Sequence, residues 1–81
     1  MQVSDIIKNK DYDYIEWRII MSKDNSETFV GSSKSKNGQL ISLDGDTYYE
    51  DTVIERYEEW TNFDKNIHNG LTIICKEENF K

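Results

Sequence analysis

Apolar and polar residues repeat along this chain with two different periods. Near the N-terminus Val3, Ile6, Ile7 and the Lys10 stem fall on one helical stripe, and Ser4 is a capping residue type. Val3 to Lys10 therefore reads as a short helix that packing must hold in place, and Asp11-Tyr12-Asp13 breaks it. From Tyr14 to Lys23 the period changes to two. Ile15, Trp17, Ile19 and Met21 alternate with Tyr14, Glu16 and Arg18, as in a half-buried strand. Asp24-Asn25-Ser26 supplies a turn, and Thr28 to Ser33 resumes as a second strand. Asn37-Gly38 is a strong hairpin signal, and Gln39 to Asp44 follows as a third strand. The three strands form a meander.

Asp44-Gly45-Asp46 marks a turn, and residues 48–60 then support two readings. Thr47 with Glu50, or Thr52 with Glu55, has the spacing of a capping box, and Tyr49, Val53, Tyr57 and Trp60 lie near helical spacing. Thr52-Val53-Ile54 is β-branched, however, and the residues from Val53 to Trp60 also alternate acceptably as a strand. The strand reading, from about Thr52 to Thr61, is favoured over the helix, and both stay open. Its partner is Leu71 to Lys76, reached through a loop over residues 62–70 that Asn69-Gly70 closes. Because Leu71-Thr72-Ile73-Ile74-Cys75 is nearly all apolar, that last strand is expected to be central or covered by the helix. The predicted fold is α+β: a short N-terminal helix packed on a four- to five-stranded antiparallel sheet, in a single domain over residues 1–81.

Length limits what such a domain encloses. A chain of 81 residues buries roughly 60–65% of its unfolded surface, so a large pocket would hollow out its core. Cys75 is the only cysteine, which excludes an internal disulfide framework of the kind small secreted domains rely on. Met1-Gln2-Val3-Ser4-Asp5 lacks the basic start and apolar core of a signal peptide, and the apolar runs are far too short to span a membrane. A cytoplasmic protein is expected.

Charge adds a local feature. The formal net charge is −6, yet residues 44–64 hold eight acids against Arg56 alone, about −7 in that segment. The other residues are close to neutral. Direct binding to nucleic acid or to anionic membrane needs the opposite sign.

The candidate chemistry is thin. Asp44-Gly45-Asp46 opens like a calcium loop, but Tyr48 and Tyr49 occupy the fifth and sixth places, where an oxygen ligand and a glycine are required. His68 in a polar loop and Cys75 in an apolar strand make neither a nucleophilic dyad nor a zinc site. Glu58 and Glu59, adjacent on a strand, face opposite ways and cannot share one acid–base cleft. No glycine-rich phosphate loop exists. No catalytic residue, metal or cofactor is expected, and the chain reads as a binding protein, not an enzyme.

What remains is the acidic segment. Asp44, Asp46, Glu50, Asp51, Glu55, Glu58 and Glu59, with Trp60 as an aromatic anchor, are the candidate partner-binding residues. A row of carboxylates on a rigid element resembles the spaced charge of a phosphate backbone and would steer association with a basic nucleic-acid-binding surface. The plainer reading is a solvated surface that keeps the chain soluble.

The opening Asp5-Ile6-Ile7-Lys8-Asn9-Lys10-Asp11-Tyr12 resembles the start of a small phage-encoded anti-CRISPR family, in which a short helix leads into a three-stranded antiparallel sheet. Size, acidity and the helix-then-meander order are similar too. The second half departs from that pattern, since the family ends in helices where Leu71–Lys76 reads as a strand. More broadly the chain resembles small accessory proteins of phages and mobile elements in Firmicutes. The resemblance implies a protein aimed at a host machine such as a CRISPR effector nuclease, and it transfers no individual residue role. The function expected is a non-enzymatic inhibitor or modulator. The alternative is a phage or mobile-element assembly module that self-associates through a strand edge.

Overall fold

A computed structural model describes residues 1–80. Its elements are α1 (Val3–Ile7), β1 (Tyr12–Ile20), β2 (Glu27–Lys36), β3 (Gln39–Ser42), β4 (Arg56–Asn62) and β5 (Ile67–Lys76), with single 3-10 turns at Phe63–Lys65 and Glu77–Asn79. The strands form one five-stranded sheet in the order β3-β2-β1-β5-β4. The architecture is α+β and dominated by the sheet, as the sequence pattern predicts.

β1 sits at the centre because its alternate residues are the apolar ones. Ile15, Trp17 and Ile19 are buried on one face. In the neighbouring β5 they lie opposite Leu71, Ile73 and Cys75, also buried. On the other side of β1, the facing residues of β2 are small. Ser33 lies opposite Ile15 and Gly31 opposite Trp17, which leaves room for a large aromatic pair. The Trp17 indole stacks on Tyr48 at 4.9 Å between ring centroids and donates its Nε1–H to Ser33 Oγ at 2.7 Å. Gly31 is required here, because a Cβ on it would collide with the Tyr48 hydroxyl.

α1 is shorter than its stripe suggests and is capped differently. It begins after Gln2, not at Ser4, and gives out at Lys8. The Asp5 carboxylate accepts from the Gln2 N–H at 2.8 Å. The Val3 and Ser4 N–H groups donate to the carbonyls of Thr52 and Glu50 at 3.0 and 2.8 Å. The helix's orphan donors are thus satisfied by a crossing segment, and Val3 and Ile7 are fully buried.

That crossing segment explains a departure from an all-antiparallel sheet. After β3 the chain runs over the covered face of the sheet, burying Tyr48, Thr52 and Ile54. It arrives at the far edge where the Glu55 N–H meets the Ile74 carbonyl at 2.8 Å, near the C-terminal end of β5. β4 then runs antiparallel to β5, and the return strand β5 lies parallel to β1. Parallel neighbours need a crossover of about a dozen residues, and residues 43–55 supply it. Residues 48–60 are accordingly neither one helix nor one strand. They are irregular up to Glu55, apart from one bridge between Gln2 and Val53, and extended from Arg56.

Two turns also differ in place. Asn69-Gly70 lies inside β5. The β4–β5 connection is made instead by the 3-10 turn at Phe63–Lys65 and by Asn66 in the left-handed region at φ 58°. Gly70 is small for a packing reason: a Cβ there would come within 2.6 Å of the Trp60 indole. The Asn37-Gly38 hairpin forms as predicted, with φ of 53° and 79°, the positive values a type I′ turn demands.

Candidate functional site

The eight acids of the 44–64 segment fall into two groups. Asp44 is an exposed hub of hydrogen bonds. Its Oδ2 accepts from the Ser32 N–H at 2.9 Å and from the Tyr48 hydroxyl. Its Oδ1 accepts from the Asp46 N–H at 2.9 Å and the Ser42 hydroxyl at 3.1 Å. These donors, Tyr48 foremost, hold its pKa down to about 2. Glu50 Oε2 accepts from the backbone N–H of Leu40, on β3, at 2.8 Å. Glu59 accepts from the buried Tyr12 hydroxyl and pairs with Lys10 at 3.4 Å. The Tyr12 hydrogen bond, aided by Lys10, keeps the Glu59 carboxyl below its ordinary range, while burial first and Glu59 second push Tyr12 up.

Asp46, Asp51, Glu55, Glu58 and Asp64 make up the second group. They are exposed, as Asp44 and Glu59 also are, but Asp46, Glu55, Glu58 and Asp64 are not tied to the fold in this way. They do not share one compact patch with the first. β3 and β4 are opposite edges of the sheet, four strand spacings or about 19 Å apart. The acids therefore follow a path from the β3 edge, across the covered side, to the β4 edge. Along β4 the residues alternate. Glu58 lies opposite Thr72 on the uncovered face of the sheet, and Glu59 opposite Leu71 on the covered one.

Trp60 belongs to the uncovered face. Its indole lies over Gly70, donates Nε1–H to Thr72 Oγ1 at 2.9 Å, and meets Tyr14 edge-on at 6.0 Å. Half-buried and hydrogen-bonded, it is anchored to the sheet and does not stand among the acids of the crossing segment.

The other candidates stay apart. Cys75 is buried, and burial alone pushes its thiol up to about 11, so it is no nucleophile at neutral pH. His68 is exposed on the same strand, seven residues away. That places the two about 23 Å apart along an extended chain. Among the described residues no three carboxylate, imidazole or thiol groups converge as a metal cage would require. No helix among them is long and apolar enough to cross a membrane. An open cleft of about 740 Å³ lies at the C-terminal ends of β1 and β5. Of the charges that line it, Arg56 is bridged to Glu27 and Glu77 is held by Ser22, and Glu55, Lys76 and Glu78 also border it.

Comparison with known proteins adds no relative. No family model, no curated protein and no solved structure matches this chain.

The sequence pattern does not disclose three features of the acidic segment. The first is the use of Asp44 and Glu50 as backbone acceptors. Asp44 is the more legible, since an Asp two residues before the receiving N–H is an Asx-turn pattern. The second is the Tyr12–Glu59 contact, which joins residues 47 apart and has no local signal. The third is the N-terminus, which lies in extended form against the crossing segment. Ile54 donates its N–H to the Met1 carbonyl at 2.9 Å, next to the Gln2–Val53 bridge.

Proposed function

We propose that this chain is a non-enzymatic protein-binding inhibitor or modulator whose carboxylates at the β4 edge dock on a basic, nucleic-acid-binding surface of another protein. A CRISPR effector nuclease is the partner class that the anti-CRISPR resemblance implies, and the cytoplasm is the proposed place of action. The observation that carries the reading is the exposure of Glu55, Glu58 and Asp64 in and beside a single edge strand. Asp44 and Glu50, from the same acidic run, serve the fold instead. Glu55, Glu58 and Asp64 outnumber Arg56, which Glu27 already neutralises, and an excess of negative charge raises encounter rates with a basic groove and is screened by salt.

The self-association reading is disfavoured by the same strand. Pairing β4 with a second β4 centred on Glu58 and Glu59 sets acid against acid, which is destabilising, and the one base of the strand, Arg56, is already bridged to Glu27.

The test is inhibition of, or binding to, purified CRISPR effector nucleases across a salt series. Binding is expected to weaken at least tenfold between about 50 and 300 mM salt. Reversing Glu55, Glu58 and Asp64 to lysine together should abolish it. Equal inhibition by the reversed variant would sink the reading.

A further inference from the structure

We infer that the free edge of β4 takes up an extended, lysine- or arginine-bearing segment of a partner protein as a sixth strand of the sheet. The inference rests on the acidic docking reading above and specifies how the docking is made.

β4 is the last strand in the sheet order and pairs on one side only, with β5. Its seven residues, Arg56–Asn62, therefore leave alternate backbone N–H and C=O groups facing outward, which is the template for strand addition. Just upstream the same edge is already used in this way. Glu55 sends its N–H inward to Ile74, while Ile54, facing the other way, donates to Met1. Val3 donates back to Thr52 at 3.0 Å, and Gln2 bridges Val53 in antiparallel sense. Residues 1–3 thus pair with the edge as far as Ile54.

At that junction lies a shallow groove of about 420 Å³ lined by Met1, Ile54, Glu55, Arg56 and Tyr57. Met1 and Tyr57 are 64% and 41% exposed there, so the groove offers apolar contact to one side chain of an incoming strand. The charge selects the rest of that strand. Glu58 faces one side of the sheet and Glu59 the other, and the side chains of an added strand alternate likewise. A basic residue on the uncovered side then meets Glu58, whereas Glu59 on the other side is already held by Tyr12 and Lys10.

The opposite edge offers no such site. β3 is only four residues long, and its Leu40 N–H is already taken by Glu50. A second copy of β4 is the poorer occupant because it brings two acids, Glu58 and Glu59, against one base, Arg56, which is already bridged to Glu27.

The probe is a synthetic eight-residue peptide alternating lysine and valine, titrated at low salt into the full isotope-labelled chain with backbone amides followed by NMR. A control peptide of the same charge is N-methylated at two adjacent central residues, which blocks both of its edges. The unmodified peptide is expected to shift the amides of residues 56–62 and protect them from exchange, with the control at least tenfold weaker. Equal binding of both peptides would overturn strand addition while leaving the carboxylates as a docking surface. If neither peptide binds at low salt, the docking reading falls together with the inference. Shifts confined to residues outside 54–62 would overturn the choice of edge.

Discussion

At the β3 edge two of the acidic residues are tied to the chain's own backbone. Asp44 ties the Ser32 and Asp46 amides to the Tyr48 hydroxyl, and Glu50 occupies the Leu40 N–H that would otherwise face solvent. At the β4 edge Glu55 and Glu58 are exposed, and only Glu59 is held, by Tyr12 and Lys10. One run of sequence thus supplies backbone acceptors to one edge and surface charge to the other. A carboxylate that replaces a missing strand partner keeps its charge but has its lone pairs already directed, so it offers fewer acceptor sites to direct contact with a partner than an uncommitted one. The functional meaning of the −7 segment therefore depends on where the chain passes after β3, which no local pattern contains.

The largest test of the contrast removes the packing that fixes Asp44. Tyr48 is buried on Trp17 and over Gly31, so Tyr48→Ala is expected to cost about 3 kcal/mol. It should also free the 44–48 loop, seen as a lower urea midpoint and loss of amide protection at Ser32. The β4 edge should keep its protection pattern under conditions where the variant stays folded. An equal loss at both edges would show that the two are not independent.

Acid titration separates the edges next. Asp44 has a folded pKa of about 2, below the ordinary unfolded value of about 3.9. Its contribution is therefore fully present above roughly pH 5 and is lost as pH falls through that window toward 2. Glu59, also held low by Tyr12, adds in the same direction. Stability should decline on acidification, and Asp44→Asn should make that acid limb shallower. An unchanged slope in the variant would remove Asp44 from its place as the loop's hub.

A smaller effect is expected from Glu50→Ala. The Leu40 N–H loses its acceptor and the β3 edge opens. The cost is about 1 kcal/mol, since Glu50 is only half-buried. The variant should also show concentration-dependent association in light scattering, because an uncovered edge invites pairing. If it stays monomeric at high concentration, Glu50 is a local brace and not an edge guard.

Much of the frame is legible in the sequence because its signals are local. Alternation over Ile15, Trp17 and Ile19 marks the central strand, Asn37-Gly38 the hairpin, and the apolar run from Leu71 to Cys75 a covered strand. What escapes depends on distant contacts. The parallel β1–β5 pair follows from a crossover whose route is set by the burial of Tyr48, Thr52 and Ile54 and by the hydrogen bonds of α1 to Glu50 and Thr52. Gly70 reads as a turn residue because glycine serves two purposes, and here it makes room for the Trp60 ring. The true turn lies at Asn66, one of three asparagines in the left-handed region, with Asn25 and Asn37. At the site the charge is legible, but its division between fold and surface is not: an acid that accepts from Leu40 and one that faces water look alike in a sequence.

The smallest expected effect is the most informative about β4. Glu58 lies on the uncovered face opposite Thr72 and is exposed. Glu58→Lys should change stability by less than about 0.5 kcal/mol, as exposed substitutions away from caps and turns usually do. Glu59→Gln, by contrast, trades a carboxylate held by Tyr12 and Lys10 for a neutral amide and should destabilise measurably. Urea curves of the two variants, run beside salt-dependent binding of the lysine–valine peptide, make the comparison. Docking at this edge requires Glu58→Lys to weaken binding at constant stability. Should it instead unfold the chain as readily as Glu59→Gln, Glu58 would belong with Asp44 and Glu50, and the carboxylates of both edges would serve the fold alone.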